Sequence, residues 1–411
     1  MPRRERIAGR PLRNPFEYGR ELGRDELVDR KDELHQVVRT LENTGKLFLI
    51  GPRRYGKTSL LGAAEAAAAE EGTVVLRHDA ERYESLDLLA AALLTAATRR
   101  LASTAERAGT LLGRVAGALR PEVTYDIQEQ SVSVTLGAAR DATGDALPVL
   151  VDVLDAIERM AVATERPVAV ILDEFQHVVK QGGVTAERQI RAAVQTHRHV
   201  GYVFAGSATR LLADMTSDPG RAFYKLGARL FLGPIPRDEF TVFLRAGFEN
   251  AGFAVDDAAL LHILDLAQDV PYSVQRLAHE CWEALRVAAA EALAAERGDD
   301  GAVRLTTARV DASLSRVLRQ EDAAYTQIWS SLRVQQKRAL KAVALEDGRA
   351  LLSADVSKRY RVPTGSMQKA LAALDDRGLV REEGEAGAIR YRLEDPLLGL
   401  WLRWSQQLAA P

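Results

Sequence analysis

The stretch Lys46-Leu47-Phe48-Leu49-Ile50-Gly51-Pro52-Arg53-Arg54-Tyr55-Gly56-Lys57-Thr58-Ser59-Leu60-Leu61 decides the fold. It opens as a short apolar run, continues through two glycines at the spacing Gly-x4-Gly-Lys-Thr, and leads into an alanine-rich, helix-favouring segment from Lys57 to Glu70. Strand, glycine loop and helix in that order are the context in which this spacing carries chemistry. The glycines let successive backbone N–H groups turn inward around phosphate oxygens, and the start of the helix adds its partial positive charge. Lys57 is placed to reach the terminal phosphates, and Thr58 to offer its hydroxyl to magnesium. A tight strand-to-helix turn would explain the glycines but not a lysine and a threonine at these offsets. Gly51, Pro52, Arg53, Arg54, Tyr55, Gly56, Lys57, Thr58 and Ser59 are therefore expected to hold ATP, with Mg²⁺ at Thr58.

Working outward, a second β-like run at Thr73–Arg77 and a helical pattern from Ser85 to about Leu101 make a βαβ beginning. Residues 121 to 145 alternate weakly and read as a strand-like excursion. A helix from Leu147 to Thr164, the strand Pro167–Leu172, a helix over Thr185 to His197 and the strand Gly201–Gly206 then follow. Continuous apolar strands separated by helices predict a parallel sheet covered on both faces. A last strand over Ala228–Leu232 closes at Gly233-Pro234, after which the pattern is helical to about Ala294 with no strand signal.

The most apolar strand ends in Asp173-Glu174. Paired with the glycine loop, Asp173 is expected to serve the metal and Glu174 the attacking water, the division of labour that phosphoryl transfer to water requires. Ser207, at the end of the next strand, has two readings: a polar group orienting that water or contacting the γ phosphate, or an N-cap for the helix that follows. Arg210 and Arg221 are candidates for an arginine finger supplied by a neighbouring subunit, against the plainer reading of surface arginines. A finger in trans would make self-association part of the function.

The last eighty or so residues have their own layout. Helices over Gln335–Leu345, Ser353–Tyr360 and Ser366–Arg377 precede two strand-like runs, Leu379–Arg381 and Ile389–Leu393, on either side of an acidic hairpin. That is a winged helix-turn-helix. Ser366, Gln368 and Lys369 begin its recognition helix, with Lys358, Arg359 and Arg361 placed for phosphates, whereas Glu382, Glu383 and Glu385 would meet a phosphate backbone with like charge. DNA binding and protein docking or autoinhibition both fit.

Composition narrows the setting. With 55 Lys and Arg against 57 Asp and Glu, the 411-residue chain carries a net charge of −2, so no whole-chain field draws it to nucleic acid or membrane. Its length calls for more than one hydrophobic core. The single cysteine, Cys281, excludes an internal disulfide or a Cys-based metal site and reads as a buried helical thiol. No apolar run is long enough to span a bilayer, and the start Met1-Pro2-Arg3-Arg4 has no secretion signal, so a cytoplasmic location without membrane contact is expected. The arginines at 3, 4, 6, 10 and 13 read as a solvated tail.

The motifs together resemble the archaeal-type P-loop ATPases of the AAA+/STAND assemblage, similar in layout to origin-recognition ATPases. The likeness rests on Gly51–Leu61, on Ile171-Leu172-Asp173-Glu174-Phe175-Gln176, and on Tyr391–Leu397 with Trp401-Leu402-Arg403. It implies an ATPase core over residues 1–234, a helical lid over 235–320 and a winged helix over 321–411. It also implies that Arg30, in Val28-Asp29-Arg30, belongs to the segment against the adenine. Pro271, in Asp269-Val270-Pro271-Tyr272, stands in the lid where relatives carry a second sensor arginine, a departure that counts against lid-driven motor action. The expected activity is ATP hydrolysis that controls the hold on DNA or a protein partner. The alternative is a nucleotide-gated switch with little turnover.

Overall fold

The structure is a computed structural model. It describes residues 13–102, 110, 112–113, 121–126, 131–136, 147–207, 209–294, 303–385 and 388–405. The arginines expected in the tail at 3, 4, 6 and 10, and residues 137–145, lie outside these. The chain divides into two compact units: Glu21–Arg53 with Lys57–Gly233, and Met1–Arg20 with Arg54–Gly56 and Pro234–Pro411.

The first unit is built on α1 (Lys31–Glu42), β1 (Lys46–Ile50), α2 (Lys57–Glu70), β2 (Val74–Asp79), α3 (Leu86–Leu101), β3 (Pro121–Asp126), β4 (Ser131–Leu136), α4 (Leu147–Thr164), β5 (Val168–Asp173), α5 (Gln176–Thr196), β6 (Val200–Gly206), α6 (Thr209–Ser217) and β7 (Ala228–Phe231). Five strands form one sheet in the order β2-β5-β6-β1-β7, and each neighbouring pair is parallel. Alternation along the strands divides their side chains between two cores. Phe48, Ile50, Val170, Leu172, Tyr202 and Phe204 join the cluster formed with α3, α4 and α5. Leu47, Leu49, Ala169, Ile171, Val203 and Ala205 are equally buried on the opposite face, where α1 and α2 pack together and α1 lies over β5 and β6. Burial on both faces explains why β5 reads as an unbroken apolar run.

One helix differs from the sequence reading. The helix expected over Thr185–His197 starts at Gln176, and its two segments meet at Gly183, whose φ of 63° is left-handed and so suits glycine. The excursion at 121–136 is an antiparallel pair, β3 with β4.

The second unit contains α7 (Arg237–Glu249), β8 (Ala254–Val255), α8 (Asp257–Leu266), α9 (Pro271–Ala294), β9 (Arg304–Leu305), α10 (Thr307–Ser331), α11 (Val334–Leu345), α12 (Ala354–Tyr360), α13 (Thr364–Asp376), β10 (Val380–Glu385), β11 (Ala388–Leu393) and α14 (Pro396–Ser405). The region after Pro234 is not purely helical, because β8 and β9 make a two-residue parallel pair. The boundary expected between 320 and 321 falls inside α10, a continuous helix of 25 residues. Tyr325 and Asp322 of α10 bond to the side chains of Asp395 and Trp401 at 2.9 and 2.8 Å, which ties that helix to the C-terminal elements. Cys281 is buried in α9, where desolvation pushes its thiol up to about 12. Among the described residues no helix is long and apolar enough to cross a membrane.

Candidate active site at the carboxyl edge of the sheet

Parallel strands put every carboxyl end on one edge, and crevices at that edge are where open α/β sheets take ligands. Here β1 ends at the glycine loop, β2 at Asp79, β5 at Asp173 and β6 at Gly206. The register pairs Ile50 with Gly206 and Asp79 with Asp173. Because β6 lies between β1 and β5, the Ser207 that follows it falls between the loop and the carboxylates.

The loop is shaped for close backbone approach. A Cβ at Gly51 would sit 2.9 Å from the Leu232 carbonyl oxygen, and Gly56 has a φ of 88° that side chains rarely adopt. Lys57, 5% exposed, donates from Nζ to the carbonyls of Gly51 at 2.8 Å and Pro52 at 2.9 Å. Thr58 Oγ1 donates to Asp173 Oδ2 at 3.2 Å, so the hydroxyl and carboxylate expected to share a cation are adjacent. Both are hard oxygen ligands, as magnesium prefers. Among the described residues no group of three or more His, Cys, Asp or Glu could cage a metal. The pair suits an ion that completes its shell with water and phosphate.

Glu174 takes a left-handed φ of 48°, and its Oε2 accepts from the Ser207 hydroxyl at 2.8 Å, from the Ser207 N–H at 3.3 Å and, through a short bond, from Gln176 Nε2. Burial pushes this carboxyl up, but the charge of Lys57 and the bonds from Gln176 and Ser207 outweigh it and leave the group below the ordinary glutamate range. Asp173 moves the other way, raised first by burial and then by the charge of Glu174, with Lys57 and the Glu174 N–H offsetting only part. Neighbouring acids held apart in this way can take different roles.

The remaining expected residues divide. Arg53 reaches Ser207 Oγ at 3.4 Å and Glu81 at 3.6 Å. Ser59 is 8% exposed and accepts from the Leu22 N–H at 3.0 Å. Arg30 is 7% exposed, and its guanidinium bonds to the Gly233 carbonyl and to Glu33. Arg221 forms a two-pronged pair with Glu187, one bond at 3.0 Å and one shorter, and Glu187 is fully buried. The side chain of Arg210 lies outside the described set. Arg54, Tyr55 and Gly56 group with the second unit, where Arg54 meets Asp395 at 2.6 Å and Tyr55 Oη accepts from Arg381 at 3.1 Å. In the same unit Pro271 opens α9. Gln176 and Asp79 were not among the expected site residues. Gln176 belongs to the Asp-Glu-Phe-Gln run, and Asp79, like Asp173, is a carboxylate ending a strand, so both had a signal.

In the winged helix, Met367, Leu371 and Leu374 of α13 are buried while Gln368 and Lys369 are exposed, as are Lys358, Arg359 and Arg361 beside it. The hairpin is less acidic than its tip suggests. Glu383 bonds to Arg381 and Arg392, and Tyr391 donates to Glu382.

No curated protein matches this sequence. A family model described as a probable winged helix domain matches residues 323–404. Among solved structures the fold is similar to the Walker-type ATPase PABY2304 of Pyrococcus abyssi, with a TM-score of 0.56, 18% identity, and 95% of this chain and 99% of that one covered. It is also similar to the ORC2 protein of Aeropyrum pernix, solved as ADPNP-ADP complexes, with a TM-score of 0.50, 15% identity, and coverage of 96% and 98%. At such identities the likeness is one of fold: the chain has a P-loop NTPase core on a five-stranded parallel sheet, a helical region after it and a C-terminal winged helix.

Proposed function

We propose that the chain binds ATP with Mg²⁺ at the carboxyl edge of the sheet, hydrolyses it to ADP and phosphate, and uses the nucleotide state to control how the winged helix holds DNA. The observation that carries this reading is the meeting of Thr58, Asp173 and a hydrogen-bonded Glu174 beside a Gly-Lys-Thr loop. In this account Lys57 exchanges its two carbonyl acceptors for phosphate oxygens. Glu174 takes the proton of the attacking water, and Ser207 keeps that carboxylate in place. Magnesium, when bound, would be held by Thr58 and Asp173 and would offset charge on the phosphates. Asp173→Asn should accordingly weaken the metal-dependent part of ATP binding.

On the winged helix, Gln368 and Lys369 would face base edges, and Lys358, Arg359 and Arg361 the phosphates. A switch that holds ATP with little turnover is the second reading, supported by Pro271 in the lid position where a sensor arginine would stand. Steady-state phosphate release with and without DNA separates the two. Turnover that responds to DNA supports the first, and tight ATP binding without phosphate release supports the second.

A further inference from the structure

We propose that Gln176 is a positioning residue for the water-activating carboxylate, an inference that rests on reading Glu174 as the general base. Each hydrogen bond that Glu174 accepts from Gln176 and Ser207 falls on Oε2. Among the described residues no donor bonds to Oε1, and that oxygen is not among the sealed, partnerless atoms of the interior. A carboxylate pinned through one oxygen presents the other in a fixed direction. That is the geometry a base needs, because proton abstraction depends on reach and alignment before it depends on basicity.

The clasp is built rather than incidental. Gln176 is 2% exposed at the first position of α5, and Nε2 lies 3.3 Å from Ser207 Oγ as well as against Glu174. Its Oε1 is buried without a partner, an arrangement that costs stability and so calls for a return elsewhere. The end of β6 is cut to receive the amide: a Cβ on Gly206 would stand 2.2 Å from Gln176 Oε1. Gly206 makes room for the amide, and Ser207 beside it supplies the remaining donors to the same carboxylate oxygen.

The test is phosphate release by the full-length protein across ATP concentrations at saturating Mg²⁺, with ATP affinity by calorimetry and a thermal melt alongside. Gln176→Met keeps the length and removes the donor. It should lower kcat by about 10- to 100-fold, the range expected when a reacting group is misplaced, and leave KM and ATP affinity unchanged. In a Glu174→Gln background the same change should cost nothing further, because the group it positions is already gone. Gln176→Asn, whose shorter amide cannot bridge the same gap, should follow Gln176→Met and serves if the methionine variant does not fold. Parental kcat in both variants would overturn the proposal, as would a loss that persists undiminished in the Glu174→Gln background. A parent that binds ATP but releases no phosphate would instead overturn the hydrolysis reading, and the positioning role with it.

Discussion

At the carboxyl edge of the sheet one lysine, one aspartate and one glutamine are buried and hydrogen-bonded, whereas on the winged helix the candidate contact residues stand in solvent. Lys57, Asp173 and Gln176 are 5%, 5% and 2% exposed and bonded to backbone, hydroxyl or carboxylate. Lys358, Arg359, Arg361, Gln368 and Lys369 are all exposed. The first arrangement makes each side chain close to indispensable, because a buried polar group that loses its partner is not rescued by water. The second spreads its effect over several weak, salt-screened interactions. Substitutions at the edge should therefore act as switches, and those on the winged helix as increments.

The largest effect on nucleotide affinity is expected at Lys57. Lys57→Ala should lower ATP affinity on the order of tenfold to a hundredfold, the worth of a charge-assisted bond, and the far-ultraviolet circular dichroism should stay that of the folded chain. Calorimetry reads this directly, and parental affinity would remove the loop from the account.

Arg221, itself partly exposed, tests whether the fully buried Glu187 behaves as the comparison requires. Arg221→Ala leaves Glu187 buried without its cation and should cost about 3–5 kcal/mol of stability, read as a lower denaturant midpoint. A neighbour-acting finger adds a separate signature. Specific activity should then rise with protein concentration, and mixing Arg221→Ala with Lys57→Ala should restore turnover. Concentration-independent turnover would leave Arg221 as a structural ligand of Glu187 only.

On the winged helix, replacing Lys358, Arg359 and Arg361 together by Ala should flatten the dependence of log affinity on log salt by roughly 0.9 for each phosphate no longer neutralised. The smallest effect is expected at the wing. Glu382→Lys with Glu383→Lys should tighten DNA binding slightly or leave it unchanged, since Glu383 is already matched by Arg381 and Arg392. A marked loss of DNA affinity in that double variant would mean that the ion pairs shape the wing as a DNA-binding surface.

The same contrast explains what the sequence disclosed. The glycine loop, Asp173-Glu174 and the helical spacing of the winged helix are local signals, set by residues a few positions apart. Gln176 stands in the Asp-Glu-Phe-Gln run, but its role depends on β6 lying beside β5, which brings Ser207 within 3.3 Å across 31 positions of sequence. Glu187 and Arg221 meet across 34 positions, so the pair that engages the expected finger had no sequence signature either. The two-residue pairing of β8 with β9 is too short to leave a periodicity. The helix α10 runs across position 320, where the resemblance implied a domain boundary, and no glycine or proline interrupts Thr307–Ser331.

The central claim, that Glu174 is the base of an ATP-hydrolysing site, is tested most directly by comparing Glu174→Gln with the parent for both ATP binding and phosphate release. Mg²⁺-ATP affinity should be retained while turnover falls by about two to four orders of magnitude, the usual contribution of a positioned base. Equal turnover in the two proteins would contradict it.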